Sequence, residues 1–279
     1  MRKIMLNPSP RSWCRCFSKY SITVKTNKGV KMALFGLWGD KCSVGVRDFI
    51  DANTGVSTSM NSAAAGNLAE LKTLYSVGAR FNTQDNDGWT PLFYAVSKHQ
   101  IDCVRYLLSV NVDINKRARD GWTALMVALD HNQPEIVRLL LDAGADTTAF
   151  GNIGQIDVCA LVVASRVPSL VRMLLEHGAN PNLPHPANGA PPAFFWGICN
   201  GAPEGIRILK EFGADFNIRD RIAGQTPIMV NVGNVDRLYA LLDGGADPSM
   251  KDNDGESAFD YARKPGADPR SLMVMSSYR

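Results

Sequence analysis

Asp87-Gly88-Trp89-Thr90-Pro91-Leu92 returns 33 residues later as Asp120-Gly121-Trp122-Thr123-Ala124-Leu125. Looser copies stand at Gly224-Gln225-Thr226-Pro227-Ile228 and at Asp254-Gly255-Glu256-Ser257-Ala258-Phe259. Each reads as a turn followed by a helix start. Asp-Gly supplies a residue tolerant of positive φ, Thr or Ser offers its oxygen to the orphan amides of a first helical turn, and Pro at the first helical position brings a preset φ and no wasted donor. A second phrase precedes each of these by about ten residues: Gly78-Ala79-Arg80-Phe81-Asn82, Asn111-Val112-Asp113-Ile114-Asn115, Gly144-Ala145-Asp146, Gly178-Ala179-Asn180-Pro181-Asn182, Gly213-Ala214-Asp215-Phe216-Asn217 and Gly245-Ala246-Asp247-Pro248. Successive copies are spaced 33, 33, 34, 35 and 32 residues apart. A sustained period near 33 predicts a solenoid, in which each unit buries its apolar face only against its neighbours.

Between the phrases lie two short helical patterns with apolar spacings of three and four. The first runs over Leu92 to Val96, and the second has Ile101, Val104, Leu107 and Leu108. The second recurs as Leu68, Leu71, Leu74; as Ile136, Leu139, Leu140; as Leu170, Val171, Leu174; as Ile206, Leu209; and as Leu238, Leu241, Leu242. Its stop is the phrase's Gly, which takes the left-handed conformation after a helix without a Cβ clash. Asn111, the next best residue for that conformation, holds the place in the second unit.

Turn, Thr-Pro-Leu start, paired helices, Gly-Ala-Asp-x-Asn loop and period together resemble the ankyrin repeat over residues 52–263. The resemblance implies an all-α fold, an ankyrin-repeat solenoid of about six helix-turn-helix repeats with β-turn fingers and terminal caps. Residues 32–51 are expected to form an N-terminal cap, with Val46 to Ile50 as a covering helix, and residues 264–279 a C-terminal cap. The fourth unit departs from the pattern: Gly154 to Leu161 has lost Thr-Pro and gained residues before its helix. The fifth follows a stretched loop, Asn182 to Asn188, and the sixth is about two residues short around Val232 and Gly233. Asn82, Asn115, Asn182 and Asn217 match loop positions at which the family ties neighbouring loops through backbone hydrogen bonds.

Composition closes off other classes. With 45% apolar residues and 23 aromatics in 279, the chain has ample material for a core. Its longest apolar run, Met32 to Gly39, is far below the ~20 residues of a membrane-spanning helix. The net charge of +3 divides unevenly: residues 1–31 hold eight basic residues and no acid, which leaves the rest at −5. Such a body does not suit nucleic acid. The basic stretch reads as a disordered extension or as translation from upstream of the true start at Met32. Six scattered cysteines form no CxxC pair and no zinc-ligand spacing, so no metal is expected and a reducing, cytoplasmic setting is.

No P-loop, GxSxG elbow, HExxH or EF-hand loop occurs, so neither catalytic residues nor a cofactor is expected. Asp87, Asp120, Asp215 and Asp247 recur at repeat positions and read as turn and loop hydrogen bonders, His99 and His131 as capping or solvated side chains. What remains is surface, and the resemblance implies a partner on the turn tips and the concave face of the first helices. Trp89 and Trp122, one period apart, are expected side by side as exposed indoles on adjacent fingers, flanked by Arg117, Arg119 and Phe150, with Lys98, Asp130 and His131 at first-helix ends. Trp and Arg are enriched at binding hot spots; the alternative for the two tryptophans is a scaffold role, since Trp at this place is frequent in the family that the sequence resembles and can serve only to shield the turn. The expected function is a non-catalytic, monomeric protein-protein interaction module that occludes or scaffolds a protein partner, an inhibitor or immunity-type protein being its most concrete version. The alternative is an effector whose activity lies in residues 1–50, with the repeats as a targeting device. Far-ultraviolet circular dichroism is expected to be helix-dominated, and a strand-rich spectrum would overturn the solenoid.

Overall fold

The computed structural model describes residues 23–25, 31–33, 48–153, 156–184, 202–220 and 223–278. Helices come in pairs: α1 (Thr58–Ala65) with α2 (Leu68–Ser76), α3 (Pro91–Ser97) with α4 (Ile101–Ser109), α5 (Ala124–Asp130) with α6 (Pro134–Asp142), and α7 (Ala160–Ala164) with α8 (Pro168–Glu176). Then follow α9 (Pro203–Glu211), whose expected inner partner lies outside the described residues, α10 (Pro227–Val230) with α11 (Val235–Asp243), and α12 (Ala258–Tyr261) with α13 (Ser271–Ser276). The first member of each pair packs on the first member of the next, α1 on α3, α3 on α5 and α5 on α7, while α2, α4, α6, α8, α9, α11 and α13 form a second row. Two stacked helical rows with fingers between the pairs are the solenoid that the period predicts.

The local chemistry explains the boundaries. Thr123 Oγ1 accepts from the Met126 amide at 3.4 Å, and Asn67 and Asn234 cap α2 and α11 through the amides of Glu70 and Arg237. Proline opens α3, α6, α8, α9 and α10. Between the helices of a pair, Gly66, His99 and Asn132 take left-handed φ of 73, 56 and 51°. The equivalent of His99 is therefore Asn132, and His131 sits one residue earlier as the end of α5. Both histidines are exposed.

Leu71, Leu74, Leu92, Val104, Leu107, Leu125, Ile136, Leu140, Leu161, Leu170 and Leu174, all at 5% exposure or less, belong to one apolar cluster that continues through Ile206, Leu238 and Leu241 to Met275. The register between units is held outside that core. Asn82, Asn115, Asn182 and Asn217 each accept, through Oδ1, the backbone N–H of Asp113, Asp146, Asp215 and Asp247 in the next unit, at 2.8 to 2.9 Å.

The ends differ from expectation. Ile50 lies in a short strand, β3 (Ile50–Asp51), next to β2 (Lys31–Ala33), which pairs in turn with β1 (Thr23–Lys25). The described part of the expected covering helix, residues 48–50, is thus not helical; residues 46–47, and 1–22, 26–30 and 34–47 in general, lie outside the described residues. Asp48 does the covering as a cap, accepting from the Ser59 amide at 2.8 Å and from its hydroxyl at 3.0 Å. At the other end the shortened segment after α10 turns its Val232 carbonyl toward the last helix, where it accepts from the Asp268 amide at 3.0 Å and the Ser271 hydroxyl at 2.6 Å. The expected extra residues of the fourth unit build a hairpin, β4 (Phe150–Ile153) against β5 (Ile156–Cys159), instead of a tight turn.

Leu107→Ala and Leu140→Ala, each at a fully buried site on the second row, are expected to cost about 2–5 kcal/mol. Denaturant unfolding measures it, and indifference at both sites would mean that the helix phase is wrong.

Candidate protein-binding surface

A finger is a turn closed at its base by a backbone bond, the amide of Asp85 donating to the Trp89 carbonyl at 2.9 Å and that of Ala118 to the Trp122 carbonyl at 2.8 Å. Fingers are then joined tip to tip. The Asn86 amide donates to Thr54, Arg119 to Asp87, Asn152 to Asp120 and Asn253 to Ala223, all carbonyls at 2.8 to 3.0 Å. This approach leaves little room: a Cβ on Gly88, which has φ 83°, would lie 2.8 Å from the Arg119 amide nitrogen and 2.9 Å from Ala118 Cα.

Side chains repeat the bridging at one-period spacing. Gln84 Nε2 donates to the carbonyls of Gly88, at 2.7 Å, and Arg117, at 2.9 Å. Arg117 does the same one unit on, its Nε donating to the Gly121 carbonyl at 3.3 Å and its Nη2 to that of Phe150. Arg219 Nε reaches the Gly224 carbonyl at 3.0 Å. The guanidinium expected to face a partner is therefore already engaged between two fingers.

The two tryptophans are half-buried rather than exposed. Trp89 packs with its ring centroid 5.6 Å from Phe93 and 5.5 Å, edge-on, from Tyr94. Trp122 lies over Gly151, where a Cβ would come within 2.7 Å of Cδ1, and its Nε1 donates to the Asn152 carbonyl at 3.1 Å. The indoles stand on adjacent fingers as the spacing implies, but Trp89 is spent in part on the inner helix of its own unit and Trp122 on the backbone of the next finger. Arg119, Lys98, Asp130 and His131 are exposed, and Phe150 is half-buried.

Two tyrosines not singled out from sequence tie the fingers to the inner helices. Tyr94 on α3 donates its hydroxyl to Asp85 Oδ2 at 2.7 Å, and Asp85 Oδ1 accepts from the amides of Asp87 and Trp89 at 2.9 and 2.8 Å. Tyr261 on α12 donates to Asp252 Oδ2 at 2.8 Å and accepts from Gln225 Nε2 at 2.6 Å, while Asp252 Oδ1 accepts from Asp254 and Glu256. Burial, then the bond to Asp85, pushes the Tyr94 phenol well above its usual value. Desolvation pushes the Asp252 carboxyl up, but the bonds from the Glu256 amide, the Tyr261 hydroxyl and the Asp254 amide, with the charge of Lys264, together hold it below the usual range. The signal was in the sequence: a Tyr nine residues after the Asp that opens the finger, twice. Among the described residues no group of His, Cys, Asp and Glu side chains could hold a metal ion, and no helix is long and apolar enough to cross a membrane.

Tyr94→Phe leaves the ring packing and deletes the bond to Asp85, so it is expected to cost about 1–2 kcal/mol. Gly151→Ala pushes a methyl into the Trp122 indole and should cost about 1–3 kcal/mol; a Trp122→Ala background, which empties that space, should relieve the clash, as thermal or denaturant melts of the three variants will show.

Residues 59–150 match the family model for ankyrin repeats, in three copies. A stretch of 100 residues is 36% identical to the ankyrin repeat protein nuc-2 of Neurospora crassa, covering 35% of this chain and 9% of that protein. Another of 93 residues is 34% identical to human ankyrin repeat and SOCS box protein 6, covering 32% and 22%. The chain spans less than a quarter of the length of these relatives. Among solved structures, the ankyrin repeat domain of human ASB11 superposes with a TM-score of 0.62 at 22% identity, over 79% of this chain and 98% of that one. The ankyrin repeat domain of Bcl-3 gives 0.66 at 23%, over 80% and 99%. These two likenesses carry the fold beyond the matched repeats. Residues 59–150 are ankyrin repeats, and the described array has the fold of an ankyrin repeat domain.

Proposed function

We propose that the chain acts by holding a protein partner on the fingers and concave face of its second to fourth units, occluding or scaffolding that partner as an inhibitor-type protein does. Ankyrin repeats are protein-protein interaction modules, and what supports this surface is the row of tip-to-tip backbone bonds from Thr54 to Asn152. Fingers locked to one another lose little conformational entropy when a partner lands on them. The contacts assigned to the partner are the exposed Lys98, Arg119, Asp130 and His131, with the outer edges of Trp89, Trp122 and Phe150 and the outward side of Arg117. Lys98 and Arg119 stand out on a body of net −5 and suit an acidic rim.

Once a partner is identified by cross-linking from the finger residues, Lys98→Glu combined with Arg119→Glu is expected to weaken its binding about tenfold or more. The melting temperature should not move, because both side chains are exposed. Undiminished affinity in the folded double variant would move the surface off these fingers. Occlusion is tested on the same complex: the partner's own activity should fall on adding this chain and return with the double variant.

A further inference from the structure

The second-row helices are tied to one another by side chains near their ends, and one of these ties differs in kind from the rest. Arg105 of α4 pairs with Glu135 of α6 at 2.8 Å, and Arg172 of α8 with Glu211 of α9 at 2.8 Å. Lys210 of α9 donates to the Asp243 carbonyl at the end of α11, and Tyr278, just beyond α13, donates to Asp243 Oδ1 at 2.6 Å. Between α6 and α8, among the described residues, the side-chain tie is His177: its Nε2 lies 3.2 Å from Asp142 Oδ1 and its Nδ1 2.7 Å from the Met173 carbonyl.

Both ring nitrogens thus face oxygens that can only accept. A neutral imidazole carries one N–H and one lone pair, so either tautomer aims a lone pair at an oxygen; only the imidazolium satisfies both. We propose that the α6–α8 junction is a pH-sensitive joint, in which protonated His177 ties the ends of the two helices and its deprotonation releases them. The unit it anchors is the irregular one, with a hairpin for a finger and an inner helix, α7, of five residues.

The surrounding charges support the cation. Asp142 reaches it from α6, where Arg138 stands one turn earlier and Glu135 is held by Arg105. On its own helix Glu176 is adjacent and Arg172 is engaged by Glu211. Helix α7, Ala160–Ala164, has no ionisable side chain. Helix α9 carries Glu204, Arg207, Lys210 and Glu211, of which the last two are occupied as described. The bond to the Met173 carbonyl, then that to Asp142, raises the His177 pKa above the ordinary histidine value. A raised pKa adds stability that is fully present below the unfolded value of about 6.5 and is lost as pH climbs through the folded one. The joint is therefore firm below that unfolded value and loosens as pH rises through the folded one.

Proton NMR of the intact chain tests it. The His177 ring resonance is expected to titrate above the ordinary histidine value. Asp142→Asn should lower the His177 midpoint and leave His131 unmoved. The fall in melting temperature between pH 6 and pH 8.5 should be about 1–3 °C larger for the native chain than for His177→Gln. A His177 that titrates at or below the ordinary histidine value, or a midpoint indifferent to Asp142→Asn, would overturn the joint. So would an equal pH dependence in His177→Gln, which would assign the histidine to local packing within α8.

Discussion

No unit of this chain can bury its own apolar face. A pair of helices seven to nine residues long, such as α3 with α4, presents Leu92, Val96, Val104 and Leu107 to its neighbours, and only the next pair covers them. Everything else follows from the need to bring each pair against the next in one fixed register. Apolar contact is non-directional and does not set a register alone. The directional part comes from backbone groups at the loops and fingers: the asparagine row that accepts the next unit's Asp amide, and the tip bonds that run from one finger to the next.

That division of labour also shapes the surface. A finger built to meet its neighbour's backbone uses its largest side chains for the purpose, so Trp122 and Arg117 donate to carbonyls one unit on, and only part of each remains for a partner. The same bonds make the surface rigid, which favours binding by preorganisation. The Asp–Tyr pairs at Asp85–Tyr94 and Asp252–Tyr261 extend the rigidity inward, from finger to inner helix, near the two ends of the array. In the finger after Asp85–Tyr94, Ala118 stands where the Asp would be and Val127 where the Tyr would be, so that finger lacks the pair.

Irregular units show how the solenoid absorbs departures. Residues added before α7 lie down as a hairpin whose Asn152 still takes up the bond to the preceding finger. The residues missing after α10 are compensated at Val232, whose carbonyl serves the final helix as an acceptor for Asp268 and Ser271. In both places the inter-unit bond survives and the local geometry gives way, as expected if the inter-unit bond is what the fold requires.

The sequence by itself determined the repeat, its period, the paired helices and their ends, because turn, cap and apolar spacing are local chemistry repeated at the same phase. The resemblance that the repeated phrases carry also placed the asparagine row. The sequence did not decide which of its large polar and aromatic residues face outward. Trp122 and Arg117 differ from Arg119 and Lys98 in what the next unit brings within a few ångströms, and Trp89 in what its own inner helix brings; those distances belong to the packing. The strand at Ile50 arises likewise from pairing with β2, and the aspartate cap at Asp48 from contact with α1. Tertiary structure alone also put His177 between two acceptors, because Asp142 lies 35 residues away in sequence and comes within reach only when α6 and α8 stack.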